Sequence, residues 1–367
     1  MANDGGGSPT ANQKALDRTV LHGIFVARFT NGLAARIDRF FRTEVVSDIA
    51  ARVRDRMTAI EERGKDLGPA TTARLRRLNA LNTETIFGGF ESIRKDVEST
   101  LVDFAKAEAS FERRTLELSI PKAFLTRAKI EFEKPTAALL RTLVESKPFE
   151  GNVLADWFSG LAIDTQKHLD RSIRVGMAEG ETSDQIVNRI LRGNENTGEG
   201  TFARTRRNAE SIVRTAVNHV SNDARFAVTK ENADLMDGWR FVATLDTSTT
   251  VICAAHDGKV YSIDDVANRP PLHWGCRSTT VNVFKSWRRF GFDFDELPSS
   301  TRASMSGQVP QKENYDAWLR RQPESTQDLI LGEGKAKIFR GGTKIDRFVN
   351  DRNRPLTLDE LKALSEA

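Results

Sequence analysis

The sequence predicts an α+β protein that is predominantly α-helical. We expect a long N-terminal helical hairpin, central helices with a small antiparallel β-meander, and a C-terminal strap with short helices. Three observations lead to this fold class. Apolar residues recur every three to four positions over residues 10–118 and again in the central region, strand-like alternation is confined to residues 238–284, and turn-forming residues dominate residues 291–323.

The composition is that of a folded globular chain. It has 367 residues, of which 39% are hydrophobic, and a net charge of +4, so two or three domains are expected. No run of 18 apolar residues occurs, and we therefore expect no membrane anchor. The first residues lack the basic and apolar regions of a secretory leader. Two cysteines exclude a disulfide framework and suit a reducing cytoplasm.

Four regions follow from the changes in composition along the chain. Residues 1–12 are polar and glycine-rich, which predicts a flexible tail because such a segment buries too little to become ordered. A helical arm is expected over residues 13–120. Pro121 interrupts the helical pattern, so a central domain is expected over residues 121–290. The C-terminal strap and its helices occupy residues 291–367.

The helical arm contains two amphipathic segments separated by Gly68 and Pro69. In each segment the apolar residues fall on one helical face, which predicts that the two segments pair as an antiparallel hairpin. The apolar period drifts, so a strict coiled coil is the less favoured arrangement. The apolar positions are Ile37, Phe40, Phe41, Val45, Ile49 and Val53 in the first segment and include Leu78, Ile86, Phe90, Val97 and Leu101 in the second.

The central domain combines helices with short strands. Helical periodicity returns over residues 154–179, and Thr182 with Gln185 predicts a capping box at the start of a short helix. A further long helix precedes the strands. The strand-like runs are 238–246, 258–264 and 278–284.

The C-terminal region predicts two helices beyond the strap. Tyr315, Trp318 and Leu319 share one helical face and should dock on the central domain. The last helix, over residues 356–364, is expected to be capped by Thr357, with Glu360 completing the box.

Both cysteines lie in one stretch together with two of the five histidines. Cys253-x-x-His256 is followed, after sixteen residues, by His273-x-x-Cys276. Four interpretations are open: a zinc site, a disulfide, a Cys/His nucleophile pair, or packing of small apolar thiols beside a turn-capping histidine. No nucleotide-binding, zinc-protease or nucleophile-elbow motif occurs anywhere in the chain.

The residues around this stretch suit a rigid set of turns. Asp257-Gly258 predicts a tight turn in which Gly258 takes a positive φ. Pro271 and the proline before it stiffen the approach to the second pair. We expect Asp246 and Arg277 to form an ion pair that pins the ends of the strands.

These residues resemble the phage Mu F-like head-morphogenesis family, the minor head proteins of tailed phages. The resemblance covers about residues 150–285. It depends on an Arg-Thr pair in a long helix, an aspartate ending a strand, a cysteine, an Asp-Gly-Lys turn and a closing Pro-Pro-x-His-x-x-Cys-Arg. The corresponding residues are Arg214, Thr215, Asp246, Cys253, Asp257, Gly258, Lys259, Pro270, Pro271, His273, Cys276 and Arg277.

The resemblance implies a virion protein. It implies a minor head protein that associates with the portal protein, and with the major capsid or scaffolding protein, during capsid assembly. Such a protein is packaged in the phage head after assembly in the host cytoplasm. Many members of the family carry Cys-x-x-Cys where this chain has Thr250 and Cys253. The remaining zinc ligands would be Cys253, His273 and Cys276, with His256, Asp246 or no residue as the fourth.

The long helix before the strands begins with basic residues. Arg204, Arg206 and Arg207 are candidates for contact with the phosphates of double-stranded DNA, without sequence preference. The alternative function is a metal-dependent nuclease or another enzyme acting on nucleic acid. Because no catalytic motif is present, we predict that the protein is not an enzyme.

Overall fold

The computed structural model describes residues 11–62, 69–120, 122–194, 198–286, 301–304, 307–310 and 313–366. Helices account for most of this part of the chain, together with small antiparallel sheets, and this confirms the predicted fold class. Most of the predicted N-terminal tail, Gly68, Pro121 and much of the predicted strap lie outside the described residues. No helix among the described residues is long and apolar enough to span a membrane.

The two segments of the helical arm form long helices. The first consists of α1, a π-helical turn and α2, and the second is α3. Their bounds are α1 Ala11–Phe40, the π-turn Phe41–Val46, α2 Ser47–Glu61 and α3 Pro69–Ser119.

Side-chain contacts show that these helices run antiparallel, as predicted. Arg36 donates a hydrogen bond to Thr100 at 2.7 Å, and Arg52 donates one to Asn82 at 3.0 Å, so later residues of one helix meet earlier residues of the other. The predicted apolar stripe is buried at five of its six first-segment positions, Phe40 being half-buried. At Gly89 a Cβ atom would lie 2.4 Å from Cγ2 of Val45, so this close approach of the helices requires glycine.

The chain divides into two compact units. The first contains Met1–Ala27, Phe104–Leu143 and Asn218–Ala367, and the second contains Arg28–Asp103 and Val144–Val217. These units are defined by spatial proximity, whereas the predicted boundaries at residues 12, 120 and 290 are defined by changes in composition along the sequence. Those boundaries remain a prediction.

The remaining helices before the main sheet include the predicted capping box. Thr182 Oγ1 accepts from the Gln185 amide at 3.3 Å, and the Gln185 side chain accepts from the Thr182 amide at 2.7 Å. These bonds satisfy amides that would otherwise lack partners, and the prediction is confirmed. The bounds are α4 Lys122–Ala128, α5 Ala137–Glu145, α6 Leu154–Ala178, α7 Ser183–Leu191, the two-residue strands β1 Gly193–Asn194 and β2 Gly198–Glu199, and α8 Thr201–Glu231.

The main sheet has three antiparallel strands, β3 Met236–Val242, β4 Val260–Tyr261 and β5 Thr279–Phe284, in the order β4–β3–β5. The predicted meander is therefore wrong in its connectivity, because a meander would place β4 in the centre. The apolar residues Trp239 and Phe241 of β3 are fully buried. The central position suits such a buried strand, because pairing on both sides satisfies its backbone N–H and C=O groups. β3 ends at Val242, short of the predicted end at residue 246, and the helix α9 Val251–His256 that follows was not predicted.

The C-terminal part packs as a group of short helices on the region around α9. Tyr315, Trp318 and Leu319 are buried in one cluster with Leu245 and Ala254, so the predicted docking is confirmed. The last helix begins with the predicted box, in which Thr357 and Glu360 exchange hydrogen bonds of 2.7 and 3.3 Å. The bounds are a hairpin of β6 Thr301–Ser304 and β7 Gly307–Pro310, then α10 Tyr315–Arg320, α11 Glu324–Leu331, α12 Glu333–Arg340, a 3₁₀ turn Ile345–Phe348, and α13 Leu358–Glu366. The hairpin is a feature that the sequence did not predict.

Replacing Trp318 by alanine should lower the free energy of unfolding by about 3–5 kcal/mol, because the substitution leaves a cavity in this cluster. The measurement is urea unfolding followed by circular dichroism. Leu329→Ala is the matched control, since Leu329 is 76% exposed and should change the stability by less than about 0.5 kcal/mol. Equal stability of the two variants would mean that the C-terminal helices do not share the cooperative core.

Candidate metal centre

The first cysteine is positioned by the capped helix α9. Thr250 is the N-cap residue of this helix, and its hydroxyl accepts a hydrogen bond from the Cys253 amide at 3.4 Å. Cys253 thus sits on the first turn, facing the core. The Cys253-x-x-His256 segment therefore lies on a short helix, whose start is stabilised by the threonine cap.

The structure brings Cys253, His273 and Cys276 together. Cys253 Sγ lies 3.1 Å from His273 Nε2 and 3.6 Å from Cys276 Sγ. All three offer a ligand atom within 4.8 Å of the others. Both cysteines are free thiols and both are buried, so the disulfide is not formed and a nucleophile would have no access to a substrate.

These distances fit a tetrahedral metal ion. Zinc bonds of about 2.3 Å to sulfur and 2.05 Å to nitrogen place two sulfurs about 3.8 Å apart, and a sulfur and a nitrogen about 3.6 Å apart. The observed distances are 3.6 Å between the two sulfur atoms and 3.1 Å between Cys253 Sγ and His273 Nε2. Both are shorter than the zinc-bound values, and small movements of the side chains would bring them into agreement. His273 Nδ1 lies 2.9 Å from the Trp274 carbonyl oxygen and therefore donates to it. This leaves the lone pair of Nε2 directed at the thiols, as in metal-binding histidines.

The two thiols differ in their acidity. The contact between the two sulfur atoms lowers the pKa of Cys276 well below its ordinary value. Burial opposes the shift, and His273 adds to it. The same contact, followed by burial, raises the pKa of Cys253. The geometry thus favours a thiolate at Cys276, the form in which cysteine binds metals.

His256 does not join this group. Its Nδ1 lies 2.5 Å from the Tyr261 hydroxyl and its Nε2 lies 2.7 Å from Asn353 Oδ1. Burial lowers the pKa of His256, which keeps the ring neutral and suits this hydrogen bonding. The Thr250 hydroxyl lies 2.9 Å from His273 Nε2 and hydrogen-bonds to it.

The other motif residues form internal ties. Arg277 binds Asp246 through two parallel hydrogen bonds of 2.7 and 2.8 Å, which confirms the predicted ion pair. Asp257 accepts from the amides of Ala243 and Tyr315, both at 2.8 Å. Its carboxylate therefore joins the end of β3 to the start of α10.

The turn residues take the predicted conformation. Gly258 has φ of +81°, and the Pro270–Pro271 bond is cis. The Gly258 amide donates to Phe241 O at 2.9 Å, and the Phe241 amide donates to Lys259 O at 2.9 Å. The turn is thereby fixed to the central strand.

The structure places the remaining predicted residues on the first half of α8, in the second unit. Arg214 pairs with Glu210 at 2.7 Å, and Thr215 is fully buried and donates to Ser211 O at 2.9 Å. The predicted DNA-contact residues differ in their pairing. Arg206 lies 3.6 Å from Asp38 and Arg207 lies 2.7 Å from Glu199, whereas Arg204 forms no ion pair within the described part of the chain.

Sequence reasoning missed several residues that hold the centre. Asn218 and Asn222 both donate to the Ser278 carbonyl oxygen, at 3.0 and 3.3 Å. Their spacing of four residues on a helix with apolar neighbours was the available signal, because such asparagines face the core and need partners. Asn353 and Tyr315, which contact the motif, lie too far along the chain to be found in this way.

The comparisons with known proteins agree with the motif. Residues 167–281 match the family described as phage Mu protein F like protein, which confirms the predicted resemblance over this part of the chain. The Mu-like prophage FluMu F protein of Haemophilus influenzae is 38% identical over 74 residues, which are 19% of this chain and 18% of that protein. The chain thus matches less than a fifth of the length of this curated relative. No solved structure matches the chain.

The Asp246–Arg277 pair should lose its contribution to stability in acid. Burial alone would raise the pKa of Asp246, but the hydrogen bonds and charge of Arg277 hold it below its ordinary value. A lowered folded-state pKa stabilises the fold above the unfolded value of about 3.9 and loses this effect as the pH falls further. A double-mutant cycle with Asp246→Asn and Arg277→Gln should give a coupling of up to about 1 kcal/mol at pH 6.

The coupling should fall steadily between pH 4 and pH 2 in urea unfolding experiments. A cycle on the exposed pair Arg54–Asp184 is the control and should give a coupling near zero at every pH. A coupling at Asp246–Arg277 that does not change with pH would contradict the assignment.

Proposed function

We propose that this protein is a minor head protein that acts in phage head morphogenesis, associates with the portal protein during capsid assembly and is packaged in the head. The observation that supports this most directly is the match of residues 167–281 to the phage Mu protein F like family. The major capsid or scaffolding protein is a further proposed partner. The proposed location is the interior of the virion, reached from the host cytoplasm.

The geometry of the motif supports a structural role over catalysis. Cys253 and Cys276 are each 2% exposed, and Asp246, Asp257 and Arg277 are bound to other parts of the same unit. Residues engaged in this way hold strands and helices together. Asp257 also lines a pocket, but both of its carboxylate oxygens accept hydrogen bonds from backbone amides, and no observation favours the nuclease alternative.

The helical arm supplies a surface for a protein partner. On α1, Leu21, Ile24 and Phe25 lie on one helical face and are 67%, 52% and 49% exposed. Three adjacent large apolar side chains in water are typical of an interaction site. We assign the portal contact to this face, where an apolar stripe can pack against a helix or groove of the partner.

We also propose that Cys253, His273 and Cys276 bind one zinc ion. When bound, the ion would link α9 to the loop before β5 and so add to the stability of the fold. The donor atoms and their spacing fit zinc, and Thr250 stands where the family resemblance implies a further cysteine. Contact of Arg204, Arg206 and Arg207 with packaged DNA is a further part of the proposal.

Purified protein should contain close to one zinc per chain by elemental analysis, and chelation should lower its melting temperature. Cys276→Ser should remove the metal, whereas His256→Ala should keep it. Thr250→Cys should complete a four-ligand site and tighten zinc binding by at least about tenfold. A zinc content unaffected by Cys276→Ser, or lost in His256→Ala, would contradict the assigned ligands.

Co-expression should recover the portal protein together with the tagged full-length chain. The variant Leu21→Ser/Ile24→Ser/Phe25→Ser should reduce the recovered portal by at least about tenfold, since a few buried apolar anchors carry most of the energy of an interface. The matched control is Leu329→Ser/Leu364→Ser, which also removes exposed apolar side chains. Absence of portal in the wild-type sample at moderate salt would refute the portal proposal.

A further inference from the structure

A group of basic side chains lies where α6 and α8 run side by side in the second unit. Two buried or half-buried contacts tie these helices: Thr165 to Thr205 at 2.9 Å and Ser172 to Thr201 at 3.0 Å. His168 lies between the two ties on α6.

Arg204 lies between the same ties on α8. Burial and then the charge of Arg204 lower the pKa of His168, Arg171 adds to this effect, and Asp164 opposes it. Because these ties lie on either side of them, His168 and Arg204 are on facing turns of the two helices, and Arg171 is three residues after His168 on α6. We call Lys167, His168, Arg171 and Arg204 the α6–α8 basic cluster.

Among the described residues, the positive charge of this cluster is offset only in part. Within the described residues, none of Lys167, Arg171 and Arg204 forms an ion pair, and Asp164 is the acidic side chain whose charge reaches His168. Lys167 and Arg171 are also four residues apart on one helix, where like charges destabilise the helix by a few tenths of a kcal/mol. Most neighbouring arginines are neutralised. These pairs are Arg174 with Asp170, Arg206 with Asp38, and Arg207 with Glu199.

We propose that the α6–α8 basic cluster binds the phosphate backbone of a polynucleotide. Residues four apart on a helix are about 6 Å apart along its axis, so Lys167 and Arg171 can reach successive phosphates of one strand. Guanidinium groups bind phosphate oxygens through two parallel hydrogen bonds. A protein partner would need an apolar or aromatic centre, and the four side chains of the cluster provide none.

The α6–α8 basic cluster differs from the DNA contact predicted from the sequence. It rests on the proposed function in one respect only, that the protein lies in a phage head filled with DNA. Of Arg204, Arg206 and Arg207, only Arg204 is free of an ion pair among the described residues, and Lys167, His168 and Arg171 join it from α6. Binding through such charges is independent of base sequence and depends strongly on salt.

The test compares two full-length variants with the same loss of charge. One is Lys167→Gln/Arg171→Gln/Arg204→Gln. The control is Arg36→Gln/Arg42→Gln/Arg54→Gln, which removes exposed arginines that are paired with Asp96, Asp38 and Asp184. Binding of a labelled duplex is measured by fluorescence anisotropy between 50 and 200 mM salt.

The cluster variant should bind the duplex at least about tenfold more weakly at 50 mM salt, and the slope of log K against log salt should be smaller by about three, one for each lost phosphate contact. The control should change the affinity by less than about twofold. Equal losses in the two variants, or no loss in the cluster variant, would overturn the proposal. If the triple variant does not fold, Lys167→Gln and Arg171→Gln alone should each reduce the slope by about one.

A second readout is the imidazole of His168, followed by NMR titration. Added duplex should raise the pKa of His168, because phosphates offset the charges of Arg204 and Arg171; an unchanged value would count against the proposal. Binding of polyglutamate without binding of DNA would assign the cluster to an acidic protein and overturn it. Because this assay contains no portal protein, weak DNA binding with intact portal recovery contradicts this inference alone, and the reverse result contradicts the proposed function alone.

Discussion

Much of the first unit depends on a buried charge, Arg225 on α8. Its guanidinium binds Glu112 at 2.6 Å, Thr279 at 2.8 Å and the Thr280 carbonyl oxygen at 3.1 Å. A buried charge without a partner would lower the stability of the fold strongly. Removing either member of the pair would leave the other buried and unpaired. The fold must therefore bring α3, α8 and β5 together at one place. Glu112 in turn accepts from Asn282 at 2.7 Å, so the same requirement fixes the register of β5 against α8.

The candidate metal ligands Cys253, His273 and Cys276 are positioned by this framework. Two asparagines of α8 hold the carbonyl of Ser278, two residues after Cys276, and Phe226 of the same helix packs with both cysteines, Trp239 and Phe241. The positions of the thiols thus follow from contacts that exist without a metal. An ion would add bonds between elements that are already in place, which is how a structural site stabilises a fold. Asp257 extends the connection to α10, so that the C-terminal helices and the central strand share one polar link.

The distribution of charge separates two kinds of surface. Asp246, Asp257, Arg225 and Arg277 form hydrogen bonds within the first unit. Lys167, Arg171 and Arg204 of the second unit form no ion pair among the described residues, and Leu21, Ile24 and Phe25 of α1 are about half exposed or more. The proposed assembly and the proposed DNA contact would use both features: a core fixed by internal pairs and a surface whose charges and apolar groups remain available.

The sequence by itself determined the features that depend on neighbouring residues. The long helices, the two capping boxes, the positive φ of Gly258 and the face shared by Tyr315, Trp318 and Leu319 all follow from spacings of one to four residues. The motif also identified Cys253, His273 and Cys276 as a group. Only the tertiary structure decided the order of the strands and which arginines form ion pairs. It also decided that His256 forms hydrogen bonds with Tyr261 and Asn353 and does not join the two cysteines. These outcomes depend on which distant residues compete for the same buried partner, and this competition is settled by packing in three dimensions.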